Sequence, residues 1–307
     1  MTAPTKTPIA PRPLPRSPET RAIPVRSQGA LRLWWYRQRR FRRPGVVIPG
    51  AVLLFMVLFS FLGPIVLNSP PPGTGNLSDY MLPMGSPGHP LGTNAFGNDT
   101  LSQLMYGGRT TLTVAVAATA LGLVVGTVLG MIAGYFQTIA GPIIMRVLDI
   151  IFAFPDIILA IAIAAYLGPS MINAIWAIGF FSIAGFGRIS RAQSLRVVPM
   201  DFVVAARSSG SSAPHILLTH VWPNIAGRVF AYALVGFGYA MMAEAALSYL
   251  GLGVPLPTPS WGNIIGSNQA YISTAPQLLY LPAICMFATI ACVNLFADAI
   301  QEKRASD

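Results

Sequence analysis

The sequence predicts an all-α membrane protein with six transmembrane helices. Three observations predict it: composition, the length of the apolar runs, and the placement of positive charge. Of 307 residues, 53% are hydrophobic and only 10% are charged, with a mean hydropathy of +0.59. Soluble domains carry about 25% charged residues. In lipid the backbone must satisfy its own hydrogen bonds, which leaves helices or closed barrels. A barrel would alternate in short segments, whereas the apolar runs here are continuous. A helix crossing a bilayer core needs about 20 apolar residues. Six runs reach or approach that length: 45–67, 110–135, 145–167, 171–187, 229–247 and 281–298. The fourth is short, which suggests oblique or partly interfacial packing.

Charge sets the direction. With the N-terminus in the cytoplasm and the runs alternating, every Lys and Arg falls inside except Arg109. Cytoplasmic loops carry such an excess of positive charge, so both termini are expected there. Residues 1–43 form a basic arm, expected to be disordered at its Pro-, Arg- and Ser-rich start. Its end, Arg32 to Arg43, holds six arginines with Trp34, Trp35 and Tyr36 among them. That mixture suits the surface of an anionic membrane leaflet. Nucleic-acid binding is the rival reading, and the span that follows at once argues against it. The long arm and long first run also argue against a cleaved signal peptide.

After the first helix (44–67) comes an extracytoplasmic segment, 68–109, rich in Pro and Gly. The membrane core is expected over 110–300. Within it Gly122, Gly126, Gly130 and Gly134 recur every four residues, a stripe suited to close helix packing. Pro155 is placed to break or kink the third helix. The uncharged stretch 251–280 reads either as a re-entrant or interfacial lid or as an ordinary surface loop. Cys285 and Cys292 lie seven apart in one run, too far along a helix for a disulfide. No metal-ligand cluster and no catalytic constellation is visible. The three histidines lie in loops, which argues against an intramembrane hydrolase.

The hydrophilic interruption 188–228 is expected to be a docking surface on the cytoplasmic side. It reads as two short helices around a glycine. Asp201 suits an N-cap or first turn, and Arg207 the negative end of the helix dipole. Gly210 suits a left-handed C-cap. Ser211 or Ser212 can cap the next helix, with Pro214 in its first turn. Pro223 is expected to end that helix. Ala205 and Ala206 present a low, smooth surface. His220 and Asn224 are placed to hydrogen-bond across the elbow. His215 and His220, five apart, do not share a face on an α-helix.

The pattern Ala205-Ala206-x-x-x-Gly210, nine residues, then His220-x-x-Pro223-Asn224 resembles the EAA loop of permeases in ATP-binding cassette (ABC) importers. Other segments resemble the C-type permease of peptide and nickel importers. They are His89-Pro-Leu-Gly-Thr-Asn-Ala-Phe-Gly-Asn-Asp99, Tyr106-Gly-Gly-Arg-Thr-Thr-Leu112, Asp149 with Phe154-Pro155, and Glu244-Ala-Ala-Leu-Ser-Tyr-Leu-Gly-Leu-Gly253 followed by Pro259-Ser-Trp-Gly262. The resemblance covers roughly residues 40 to 300 in unbroken order. It implies a type I ABC importer permease fold in the bacterial inner membrane. It also implies a second homologous permease, two ATPase subunits and an extracytoplasmic solute-binding protein as partners. ATPase coupling would fall on Ala205, Ala206, Arg207, Gly210, Ser212, His215, His220, Pro223 and Asn224. Val204 stands where the family has glutamate, and Trp222 where it has leucine.

No Gly-x-x-x-x-Gly-Lys-Ser/Thr motif occurs. ATP and Mg²⁺ are therefore expected in the partner ATPases, with no cofactor on this chain. Glu244, Ser248 and Asp156 are the candidates for the substrate pathway, because an acid at membrane depth is a functional candidate by default. Glu244 would either meet a substrate ammonium or tie helices together. The leading expectation is import of di- or oligopeptides. Import of nickel or another metal chelate is the alternative within the family. A secondary transporter is the alternative from another class, though no inverted repeat is visible.

Overall fold

The structure, a computed structural model, describes residues 44–305; the basic arm lies outside the described residues. Nine helices of eight residues or more are described: α1 (Pro44–Phe61), α2 (Thr100–Tyr135), α3 (Ala140–Phe152), α4 (Asp156–Leu167), α5 (Met171–Val197), α6 (Asp201–Ser208), α7 (Ala213–Tyr249), α8 (Trp261–Asn268) and α9 (Gln277–Ala305). The only extended pairings among the described residues are two isolated bridges, Ser86 with His89 and Thr93 with Asp99.

Four helices are long and apolar enough to cross a membrane: α2, α5, α7 and α9. The pair α3 and α4 adds a fifth when taken as one broken span, bent by 82°. The break falls at Pro155, as its fixed φ and missing N–H predict. α1 is apolar but falls short of that length.

Several helices run past their predicted ends. α2 begins at Thr100 rather than 110, because the Asp99 carboxylate accepts the Ser102 N–H at 2.7 Å and caps the helix there. His89 Nδ1 holds the other oxygen of Asp99 at 3.0 Å. α5 continues through Arg188 to Val197, so the first ten residues of the hydrophilic interruption extend a span. α7 is continuous from Ala213, so the rest of that interruption, beyond Ser212, belongs to a span as well. The separate loop is only 198–212.

α2 lies against both α5 and α7, and α7 also meets α9. The glycine stripe is the seam between α2 and α5. A Cβ on Gly122 would stand 2.5 Å from Ser182 Cβ, and one on Gly134 2.5 Å from Ser194 Cβ. Gly126 and Gly130 meet the carbonyls of Ile183 and Gly187. Without side chains there, the backbones approach closely, which is how helices associate in lipid. One cluster of buried side chains joins the first half of α2, α4, the start of α5 and the last third of α7, with Leu112, Ala164, Ile178 and Met241 among them. A second sits beneath the 198–212 loop.

Candidate functional site: the elbow and the Glu244 cluster

α6 starts after extended Met200, with Asp201 in its first turn and Arg207 in its last. It ends in a Schellman motif. The Ser211 N–H bonds the Ala206 carbonyl at 3.1 Å, the Gly210 N–H bonds the Arg207 carbonyl at 3.0 Å, and Gly210 takes φ +80°. No atom lies within 4 Å of a Cβ built on Gly210, so the requirement for glycine there is conformational. Ser212 is extended, and its carbonyl, not its hydroxyl, receives the Ile216 N–H. Pro214 occupies the first turn of α7.

The elbow is held from below. Val203 on α6 and Ile216, Val221 and Ile225 on α7 are fully buried, packed with Val197, Val198 and Met131. Arg207 stays exposed, its guanidinium 4.7 Å over the Tyr135 ring at the end of α2. Of the alanine pair, only Ala205 faces outward; Ala206 packs on the buried cluster.

Two expectations about α7 are corrected. Pro223 does not end the helix. The turn before it, Leu217–Val221, widens to a π-turn in which the Trp222 N–H reaches back five residues to the Leu217 carbonyl. The wider turn makes room for the proline ring, which would otherwise crowd the carbonyl four residues earlier. His220 and Asn224 do not bridge the elbow. Asn224 Nδ2 donates to the His220 carbonyl at 2.6 Å, within one helix. The π-turn also brings together what an α-helix would separate. His215 and His220 stack edge-on with ring centroids 6.2 Å apart, and Phe202 of α6 lies 6.1 Å from His220.

The outer surface of the elbow carries four exposed apolar side chains among polar ones such as Asp201, Arg207 and His215. Met200 is 45%, Phe202 42%, Val204 50% and Leu218 63% exposed. Sequence reasoning missed Met200, Phe202 and Leu218, because an apolar residue in a short helix gives no sign of which way it points. Such a patch on a loop marks a contact surface.

Glu244 and Ser248 lie at the other end of α7. Both are buried, with the Ser248 hydroxyl donating to Glu244 Oε1 at 2.7 Å. Ser248 Oγ in turn accepts the Val254 N–H at 3.1 Å. The stretch after it, 251–276, carries α8, which packs on α2 and α7. Trp261 is fully buried, and its Nε1 donates to the Leu104 carbonyl at 2.9 Å. Asp156 stands apart: it is partly exposed at the start of α4 and bonded to the Tyr239 hydroxyl. Asp156 and Glu244 share no hydrogen-bond partner among the described residues. Asp149 pairs with Arg188 at 2.7 Å, with both side chains about half exposed. Arg188 also covers the Phe152 ring at 4.0 Å.

The family described as binding-protein-dependent transport system inner membrane component matches residues 126–305. The dipeptide transport system permease protein DppC of Alkalihalophilus pseudofirmus is 32% identical over 288 residues, covering 93% of this chain and 94% of that protein. The glutathione transport system permease protein GsiD of Pectobacterium atrosepticum is 32% identical over 284 residues, covering 91% and 93%. The di/tripeptide transport system permease protein DppC of Pseudomonas aeruginosa is 36% identical over 212 residues, covering 69% and 70%. Among solved structures, the inward-facing MetNI methionine ABC transporter superposes with a TM-score of 0.55 at 16% identity. That match covers 67% of this chain and 96% of the other, and it shows the fold alone. The chain belongs to the binding-protein-dependent transport system inner membrane component family, as a C-type permease subunit of the peptide ABC importers.

Proposed function

We propose that this chain forms half of the translocation pathway of an ATP-driven importer of di- or oligopeptides. A second homologous permease supplies the other half. Two ATPase subunits bind and hydrolyse MgATP and grip residues 201–224, and an extracytoplasmic solute-binding protein delivers the peptide. The chain has six spans in this reading, with α1 as the first and the bent pair α3 and α4 as the third. Both termini face the cytoplasm, as the positive-inside pattern requires.

The elbow carries the proposal. It is closed by backbone hydrogen bonds, seated on a buried cluster, and carries exposed apolar side chains outside, which is what a rigid docking knob needs. Its Ala205, Arg207, Gly210, Ser212, His215, His220, Pro223 and Asn224 are the coupling residues, with Ala206 supporting them from inside. An open, largely apolar hollow of about 620 Å³ between α2, α7 and α9, lined by Val116, Leu123, Phe230, Leu234, Phe237 and Phe296, supports the half-pathway reading. Asp156 keeps the exposure that a pathway residue needs. Glu244 and Ser248, being enclosed, fit better as framework. Peptide is favoured as the solute because similar permeases are named for dipeptide, di/tripeptide and glutathione transport.

The test is to purify this chain from native membranes in mild detergent, identify what comes with it, and reconstitute the assembly in liposomes. The expected result is a second permease, ATPase chains and a binding protein, with ATP-dependent uptake of a labelled dipeptide. Recovery of the chain alone, or uptake driven by an ion gradient without ATP, would overturn the proposal. Uptake of nickel in place of peptide would move the chain to the metal-chelate reading.

A further inference from the structure

We infer that Glu244 is a positioning residue that fastens the external lid to α7, so that the lid travels with the helix and does not open as a flap. Three hydroxyls stand around its carboxylate, and one of them closes a hydrogen bond to it. Ser248 of α7 donates to Oε1 at 2.7 Å, and Thr111 of α2 and Ser260 of the lid flank the same group. Each of these hydroxyl oxygens also accepts a backbone N–H, and all three N–H groups belong to the lid. Val254 bonds Ser248 at 3.1 Å, Trp261 bonds Thr111 at 3.1 Å, and Asn263 bonds Ser260 at 3.2 Å.

A hydroxyl that accepts in this way has one proton left to donate. The carboxylate orients the Ser248 relay directly, and its buried Oε2, which has no hydrogen-bond partner, is the acceptor left beside Thr111 and Ser260. Glu244, Thr111 and Ser260 are fully buried and Ser248 is 2% exposed, so water does not compete for these bonds. The backbones are sealed as well. A Cβ on Gly262 would stand 2.5 Å from the Ala245 carbonyl oxygen, and one on Gly266 2.7 Å from that of Tyr249. The lid helix thus lies flush on the outer end of α7, clamped by polar bonds beneath. Three segments that sequence reading set apart, 106–112, 244–253 and 259–262, meet in this one cluster. α7 runs unbroken from the elbow to the lid, so a push on the elbow reaches the lid through one helix.

Two measurements on the assembled transporter test this. The first is hydrogen exchange of the bonded lid N–H groups of Val254, Trp261, Asn263 and Ile264, with and without ATP and vanadate. The expected result is strong protection in both states. Exchange that rises in either state would show a flap and overturn the inference, and this assay stands whatever the solute proves to be. The second uses a tether. The Tyr249 hydroxyl and Gln269 Oε1 meet at 2.8 Å across the two elements. In a background of Cys285→Ala and Cys292→Ala, Tyr249→Cys and Gln269→Cys are joined by a short thiol cross-linker. Uptake is expected to survive cross-linking; its loss would mean that lid and helix must part.

Glu244→Ala is expected to cut uptake at least about tenfold, since the buried Ser248 hydroxyl loses its acceptor and the Thr111 and Ser260 hydroxyls lose the carboxylate beside them. Glu244→Gln keeps one acceptor oxygen and should retain a measurable share. The tether should restore uptake to the alanine variant, which a residue in contact with solute would not allow. Should Glu244→Ala fail to insert, Thr111→Val and Ser260→Ala remove one relay each and are read in the same way. Unchanged uptake and unchanged lid exchange in all of these variants would overturn the assignment. The inference rests on the importer reading only for the uptake assay; wild-type liposomes without ATP-driven uptake would sink that reading and leave the exchange result standing.

Discussion

The two ends of α7 are built on opposite principles. The elbow is stitched by short-range bonds and leaves its large apolar side chains in the open. The lid end is stitched by bonds that span up to 157 residues and hides its polar groups completely. An exposed apolar knob is unfinished: its burial waits for another chain. The Glu244 cluster is nearly closed on itself: Oε1 takes the Ser248 hydroxyl, and only Oε2 is buried without a hydrogen-bond partner. Substitutions at the elbow should therefore change assembly more than folding, and those at the lid should do the reverse.

The largest effect that would sharpen this contrast is expected from Gly210→Pro. Proline locks φ near −65° and removes the N–H now bonded to Arg207, a local cost of about 3 kcal/mol or more. Transport and ATPase recovery should be lost while membrane insertion, followed by protease mapping, stays normal; normal uptake would argue against the docking role. Trp261→Ala should act at the other end. A buried tryptophan truncated to alanine costs about 3–5 kcal/mol. The thermal midpoint of the detergent-solubilised chain should fall, while an elbow-directed ATPase pull-down of the surviving protein stays positive.

Next in size is Leu218→Ser. It is predicted to weaken ATPase binding by about 1–2 kcal/mol, or roughly 5- to 30-fold, with no change in thermal midpoint. A drop in stability instead would mean that this surface already belongs to the fold. The smallest expected effect is that of Arg207→Ala. Loss of an exposed cation–π contact costs about 0.5–1 kcal/mol, which should show as faster proteolysis in the 198–212 loop together with ATPase binding weakened by no more than about fivefold. Unchanged proteolysis would mean that the Tyr135 contact does not steady the loop.

Much of this architecture was legible because it is local. Pro155 breaks its helix through its own ring, Gly210 bends the chain through its own backbone freedom, and the glycine stripe repeats at a helical interval. Helix ends were less legible. A polar residue does not stop a helix that reaches beyond the bilayer, so α5 runs past Arg188 and α7 starts far ahead of its apolar run. Pro223 was misread because the reasoning assumed 3.6 residues in every turn, and the π-turn breaks that assumption. The same turn explains why His215 and His220 meet although their spacing says otherwise. The Glu244 cluster was visible only in pieces. Its members lie on three separated segments, and nothing in the order of residues says that Thr111 will receive the N–H of Trp261.

The π-turn has a consequence for phase. A helix is a ruler that also rotates, by about 100° for each residue. The extra residue held in Leu217–Val221 is absorbed within one wider turn, so the elbow keeps nearly the bearing that a regular helix one residue shorter would give it. Deleting one residue there would give α7 a regular winding and leave the knob facing almost the same way. Deleting one from the regular part of α7 would instead shorten it by about 1.5 Å and turn the knob more than a quarter of a circle away from whatever is meant to meet it.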